Sequence, residues 1–111
     1  MAISEDYLQF VMDQLSDFGD IHSKKMFGGA GIYHDSLMFA LVGNNGLYLK
    51  VDETNQEAFE AYGMRAFMSS EKKKGLPYWE VPLEILEDKT SLAKWAEKAF
   101  QVALNAAKKK K

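Results

Sequence analysis

The sequence predicts a two-layer α+β domain: an antiparallel sheet of about five strands packed on three helices, in the order α-β-β-β-α-β-β-α. Three observations carry this. The hydrophobic period changes from helical over residues 8–18 to strand-like between Lys24 and Asp52. Strands then follow one another through short turn-forming stretches instead of alternating with helices, which separates an α+β layer fold from a parallel α/β one. Finally, 111 residues with 47% hydrophobic and 27% charged content suit one small domain with one core.

Ser4 is the N-cap of the first helix, with Glu5 and Asp6 at the positive end of its dipole. Ile3 and Leu8 occupy the two positions of a hydrophobic staple. Leu8, Val11, Met12, Leu15 and Phe18 give one apolar face, and Gly19 ends the helix.

In the strand region, Leu47, Leu49 and Val51 alternate with Tyr48 and Lys50, the pattern of a half-buried strand. Residues 37–42 are continuously apolar and read as an interior strand, joined to the next by the hairpin dipeptide Asn45-Gly46. Gly28, Gly29 and Gly31 fit two arrangements: a tight turn between two short strands, or a bulge in one long strand that turns at His34-Asp35-Ser36. Strand formers on both sides (Met26, Phe27, Ile32, Tyr33) favour the bulge.

Thr54 to Glu57 has the form of a capping box before a short helix bearing Ala58, Phe59 and Tyr62 and stopped by Gly63. Two short strands are expected over residues 64–68 and 77–81, separated by a lysine-rich loop, and Pro82 opens a helical turn. Asp88 or Thr90 caps the last helix, whose inner face runs from Leu92 through Trp95, Ala99 and Ala103 to Ala106. One domain over residues 1–107 with a lysine tail over 108–111 is the expected organisation.

Composition excludes several functions. The charge sum, 14 − 16 = −2, argues against coating nucleic acid by phosphate neutralisation. With no cysteine there is no disulfide, thiolate metal site or Cys nucleophile. No apolar run is long enough to span a bilayer, and MAISEDYLQF lacks the order of a signal peptide, so a cytoplasmic domain is expected. Two histidines, His22 and His34, fall short of a zinc site, and no G-x-S-x-G elbow is present. We therefore expect no enzyme, no metal and no cofactor.

Three groups remain as candidates for binding. Lys24-Lys25, Lys72-Lys73-Lys74 and Lys108 to Lys111 hold nine of the fourteen basic residues. Converging, they would form a basic patch inside an acidic protein; dispersed, the commoner arrangement, they are solvated loop, tail and sheet-edge lysines. Tyr78 and Trp79 stand next to each other on a strand and so point to opposite faces, one to the core and the other free to anchor a partner. Tyr33 and Tyr48 share the face away from Leu47 and Leu49, which is core if the last helix covers it and a docking surface if none does.

The string from Lys24 to Tyr33, KKMFGGAGIY, followed by Met38-Phe39-Ala40-Leu41-Val42, then LYLKVD over 47–52 and YWEVP over 78–82, resembles the TfoX/Sxy family in its N-terminal domain. The likeness extends to the final helix around Leu92 and Trp95. It implies a fold like that of the small α+β secretion chaperones, and Met26, Phe27, Gly28, Gly29, Gly31 and Tyr33 as a motif of structural character. It also implies regulation of competence genes alongside a cAMP-receptor-type transcription factor. The two-domain regulators carry a further helical domain that is expected to be missing here, and no catalytic residues are carried over.

The leading expectation is a non-enzymatic regulatory domain that docks to a protein partner, a transcription factor or the transcription machinery. Lys24, Lys25, Lys72, Lys73, Lys74, Tyr78 and Trp79 would carry the contact, with direct nucleic-acid contact left open and no membrane involved. The alternative is an acidic, homodimeric, chaperone-like protein-binding module unrelated to transcription.

Overall fold

The computed structural model describes residues 4–26, 29–43, 46–66 and 77–109. Ser4 caps α1 (Glu5–Gln14) as expected, its Oγ accepting the Tyr7 N–H at 3.3 Å. A 3-10 turn, Leu15–Asp17, continues α1, and Gly19 leaves it with φ +146°. Ile3, the other half of the expected staple, lies outside the described residues.

Five strands follow in a meander: β1 (His22–Met26), β2 (Gly29–His34), β3 (Leu37–Val42), β4 (Leu47–Lys50) and β5 (Tyr78–Glu80). Each pairs antiparallel with the next, so sheet order equals chain order. Three helices interleave with or follow them: α2 (Gln56–Ala61) before β5, then the single turn α3 (Leu83–Leu86) and the long α4 (Lys89–Lys109).

The α+β class and the antiparallel sheet stand; several local expectations do not. Residues 24–34 are not one bulged strand: β1 pairs antiparallel with β2, Met26 facing Gly29, so the chain reverses between these two residues while Gly29 and Gly31 lie within β2. A register shift does occur, between Ile32 and Tyr33, where β3 carries one extra residue: Ile32 pairs Ala40 and Tyr33 pairs Met38, with Phe39 between. The bulge turns Phe39 fully into the core, beside Phe18 and Phe100. Residues 64–66 form no strand; Ala66 makes one bridge to Trp79, and residues 67–68 lie outside the described set. Pro82 does open a helical turn, and that extra turn, α3, makes four helices rather than three among the described residues.

The turns show why. Asp35 and Ser36 both take positive φ (51° and 69°), the conformation a two-residue β2–β3 hairpin requires. In the β3–β4 hairpin the Gly43 N–H donates to the Gly46 carbonyl at 2.9 Å. Gly46 therefore stands on the return side of the turn rather than at its centre. At the start of α2 the capping box does not form. The Thr54 hydroxyl donates to the Asp52 carboxylate instead of accepting from a helix amide, and Asp52 also receives the Thr54 N–H at 2.8 Å. This local side-chain turn outcompetes the cap. Asn55, almost fully buried, ties the junction together by accepting from the Asp52 N–H and donating to the Lys50 carbonyl.

Asp88 caps α4, accepting from the Thr90 and Ser91 amides and the Ser91 hydroxyl. These bonds lower its carboxyl pKa, the Ser91 hydroxyl first. Each of the four described helices gives buried residues to one cluster with Ile32, Ala40, Val42, Leu47 and Leu49. The helices thus form a single layer on one side of the sheet, with α4 lying over β3 and β4. Among the described residues no helix is long and apolar enough to cross a membrane.

Candidate functional site

Strand alternation decides what the second face of the sheet presents. Along β4, Leu47 and Leu49 are buried while Tyr48 and Lys50 are half-buried. The pairings carry that alternation across the sheet: Tyr48 stands beside Leu41 and Glu80, Lys50 beside Tyr78, Leu41 beside Gly31, and Tyr33 beside Met38. The face away from the helices therefore holds Tyr33, Met38, Leu41, Tyr48 and Tyr78, with Lys50 and Glu80 among them. All are half-buried.

These side chains order one another. The Lys50 ammonium sits 5.0 Å from the centre of the Tyr78 ring, and His22 of the edge strand stacks on Tyr33 at 5.4 Å, nearly parallel. Burial raises the Tyr48 pKa, and the nearby Glu80 carboxylate adds to it. Burial and then Tyr33 raise Tyr78. Tyr7 of α1 reaches the same end of the sheet and is raised by burial, then Glu80, then Tyr48. The phenols consequently stay neutral at ordinary pH.

The residues singled out in the sequence separate across this frame. Tyr78 lies on the open face, whereas Trp79 pairs with Leu49, packs on the core and has Phe59 6.3 Å away. Lys24 pairs with Gly31 and belongs to the open face, while Lys25 is paired with Ala30 and makes an ion pair with Glu5. Both members of that pair are exposed, so it adds little stability. Lys72, Lys73 and Lys74 lie outside the described residues, as do Phe27 and Gly28 of the motif.

Of the remaining motif residues, Met26 ends β1, and Gly29, Gly31 and Tyr33 lie in β2. Gly29 has a steric reason to be glycine: a Cβ there would collide with the Val42 carbonyl oxygen. His34 turns to the helical side, its Nδ1 2.6 Å from the Asp20 carbonyl and its ring edge-on to Phe18 and Phe100. His22 and His34 thus face opposite ways, and neither lines the helical cleft described next. Among the described residues no group of three or more His, Asp or Glu could hold a metal ion.

Sequence reading missed a second feature, a cleft of about 240 Å³ between α2 and α4. Ala58, Phe59 and Trp95 form its apolar walls, with Lys94 and Lys98 at its rim. Trp95 meets Phe59 edge-on at 4.7 Å and Tyr62 at 5.7 Å. The available signal was a lysine pair one helical turn apart bracketing a tryptophan, but the facing wall comes from a distant part of the chain.

A comparison with curated proteins finds no match. The profile of the TfoX N-terminal domain matches residues 13–103, a span that includes all five strands, the KKMFGGAGIY segment and most of α4. That match covers well over half of the chain, and the chain belongs to the TfoX N-terminal domain family.

Proposed function

We propose that this domain is a non-enzymatic docking module of competence and transcription regulation, working in the cytoplasm by binding a protein partner through the open face of its sheet. The supporting observation is the make-up of that face: three tyrosines, Met38 and Leu41 held half-buried on a five-stranded sheet while every described helix packs on the other side. Tyrosine offers large apolar contact with a polar tip at low entropic cost, which suits a reversible protein contact. The partner in this reading is a transcription factor of the cAMP-receptor type or a component of the transcription machinery, and Lys24 and Lys50 assist its approach.

The test is a titration of the fluorescently labelled domain with a purified cAMP-receptor-type factor, alone and on its duplex. Micromolar binding, about −8 kcal/mol, that disappears in a Leu41→Glu/Tyr78→Ser variant of unchanged circular dichroism is the expected result. Absence of binding at about 100 μM, or binding indifferent to that variant, overturns the reading. Capture of the duplex without the factor, falling steeply between roughly 50 and 200 mM salt, would assign the contact to DNA instead.

A further inference from the structure

We infer that the cleft between α2 and α4 is a binding site for a small planar aromatic anion. It lies on the helical side of the molecule, so it is separate from the proposed docking face. Its volume, about 240 Å³, falls below the roughly 300–1,000 Å³ of sites for drug-sized ligands. That restricts the occupant to one or two rings with a short acidic arm.

The walls select the ring. Phe59 is fully buried and fixed in the core, and Trp95 is held between it and Tyr62 by edge-on contacts. The Trp95 ring, backed by Phe59, is therefore in place before a ligand arrives, and a flat apolar group gains contact with it without ordering the walls.

The polar groups select the charge. Asn55 has both ends of its amide engaged by backbone, and the Ser91 hydroxyl donates to Asp88. Neither offers a charged donor. Lys94 and Lys98 do: they bracket Trp95 on α4, are exposed, and neither has a carboxylate within ion-pair distance among the described residues. Lys94 acts on Asp88 through space, but that carboxylate is committed to capping α4. The residues lining the α2 side of the cleft, Asn55 just before the helix and Ala58 and Phe59 within it, are uncharged. Glu97 borders the lysine pair only on the outer side of α4, in a shallower depression shared with Gln101. Two lysines lining an aromatic cleft, with no ion-pair partner among the described residues, thus favour a ring that carries a carboxylate or a phosphate.

Nuclear magnetic resonance of the full chain tests this by following the Trp95 side-chain N–H, with that of Trp79 as the internal control. The probes are indole-3-acetate, phenyl phosphate, neutral indole and acetate. The expected result is a saturable Trp95 shift with indole-3-acetate or phenyl phosphate at a Kd of about 1 mM or tighter. Which of the two binds more tightly decides between carboxylate and phosphate. Binding should weaken about tenfold in Lys94→Gln/Lys98→Gln and vanish in Ala58→Phe, which fills the cleft from an exposed position. Indole binding as well as its acid, an unchanged Kd in the lysine variant, or no saturation by about 10 mM would overturn the inference. So would a response only to an acidic, tryptophan-containing peptide, which would make the cleft a protein contact.

Discussion

Tyr48 and Leu49 are neighbours on β4 that face opposite ways. Leu49 is fully enclosed beneath α4 together with Ala40, Val42 and Leu47. Tyr48 is half-buried among Leu41, Glu80 and Lys50, on the face away from the described helices. The inner face is aliphatic and filled; the outer face is aromatic, mixed in charge and left partly wet. Core packing and the proposed docking face are thus separated by the two-residue period of the strand. The outer face can change its contacts without disturbing the core.

Substitutions that differ only in which face they strike sharpen this contrast. Leu49→Ala should lower the unfolding free energy by about 2–5 kcal/mol, since it leaves a cavity under α4. Chemical denaturation measures this, and a loss below about 1 kcal/mol would show that the inner face is not the main source of stability. Gly29→Ala comes next, at about 1–3 kcal/mol, because its methyl must push β2 away from the Val42 carbonyl. A neutral result there would mean that the hairpin relaxes freely and that the motif glycine is not held by packing. Leu41→Ala, one residue from the buried Val42 but on the outer face, should cost only about 1 kcal/mol or less. A cost equal to that of Leu49→Ala would break the comparison outright.

The smallest expected effect is electrostatic. Raised tyrosine pKa values mean that the folded state favours the neutral phenol. This contribution is complete below the ordinary tyrosine pKa of about 10 and is lost as pH rises through the higher folded values. Glu80→Gln removes a charge that acts on both Tyr7 and Tyr48. Their titration, followed by near-ultraviolet absorbance, should move down toward the ordinary range while Tyr78 stays where it is. A shift in Tyr78 alone would place Glu80 elsewhere on the sheet.

Much of this was legible in the chain. The Ser4 cap, the alternation over residues 47–50, the unbroken apolar run of β3 and the opposite directions of Tyr78 and Trp79 are local patterns, and local patterns survive folding. The 24–34 stretch was not readable in the same way. A hairpin turn and a strand bulge both call on glycine, and only the pairing of Met26 with Gly29 decides between them. Thr54 shows a different limit: a sound capping motif lost to Asp52, whose side chain reached the same backbone first. The α2–α4 cleft was beyond sequence reading. Phe59 and Trp95 each read as ordinary core positions of separate helices, and only tertiary packing sets Lys94 and Lys98 above an aromatic wall.

The placement of α4 bears on how the chain reaches this state. Chains are synthesised from the N-terminal end, and β1 to β4 connect through hairpins that close quickly because their partners are near in sequence. The helix that covers β3 and β4 follows every strand, 21 residues at the end of the described chain. A nascent molecule therefore passes through an interval in which the sheet is assembled but Val42, Leu47 and Leu49 still face water. Changes that delay α4, rather than those that weaken the finished fold, are where aggregation during synthesis will begin.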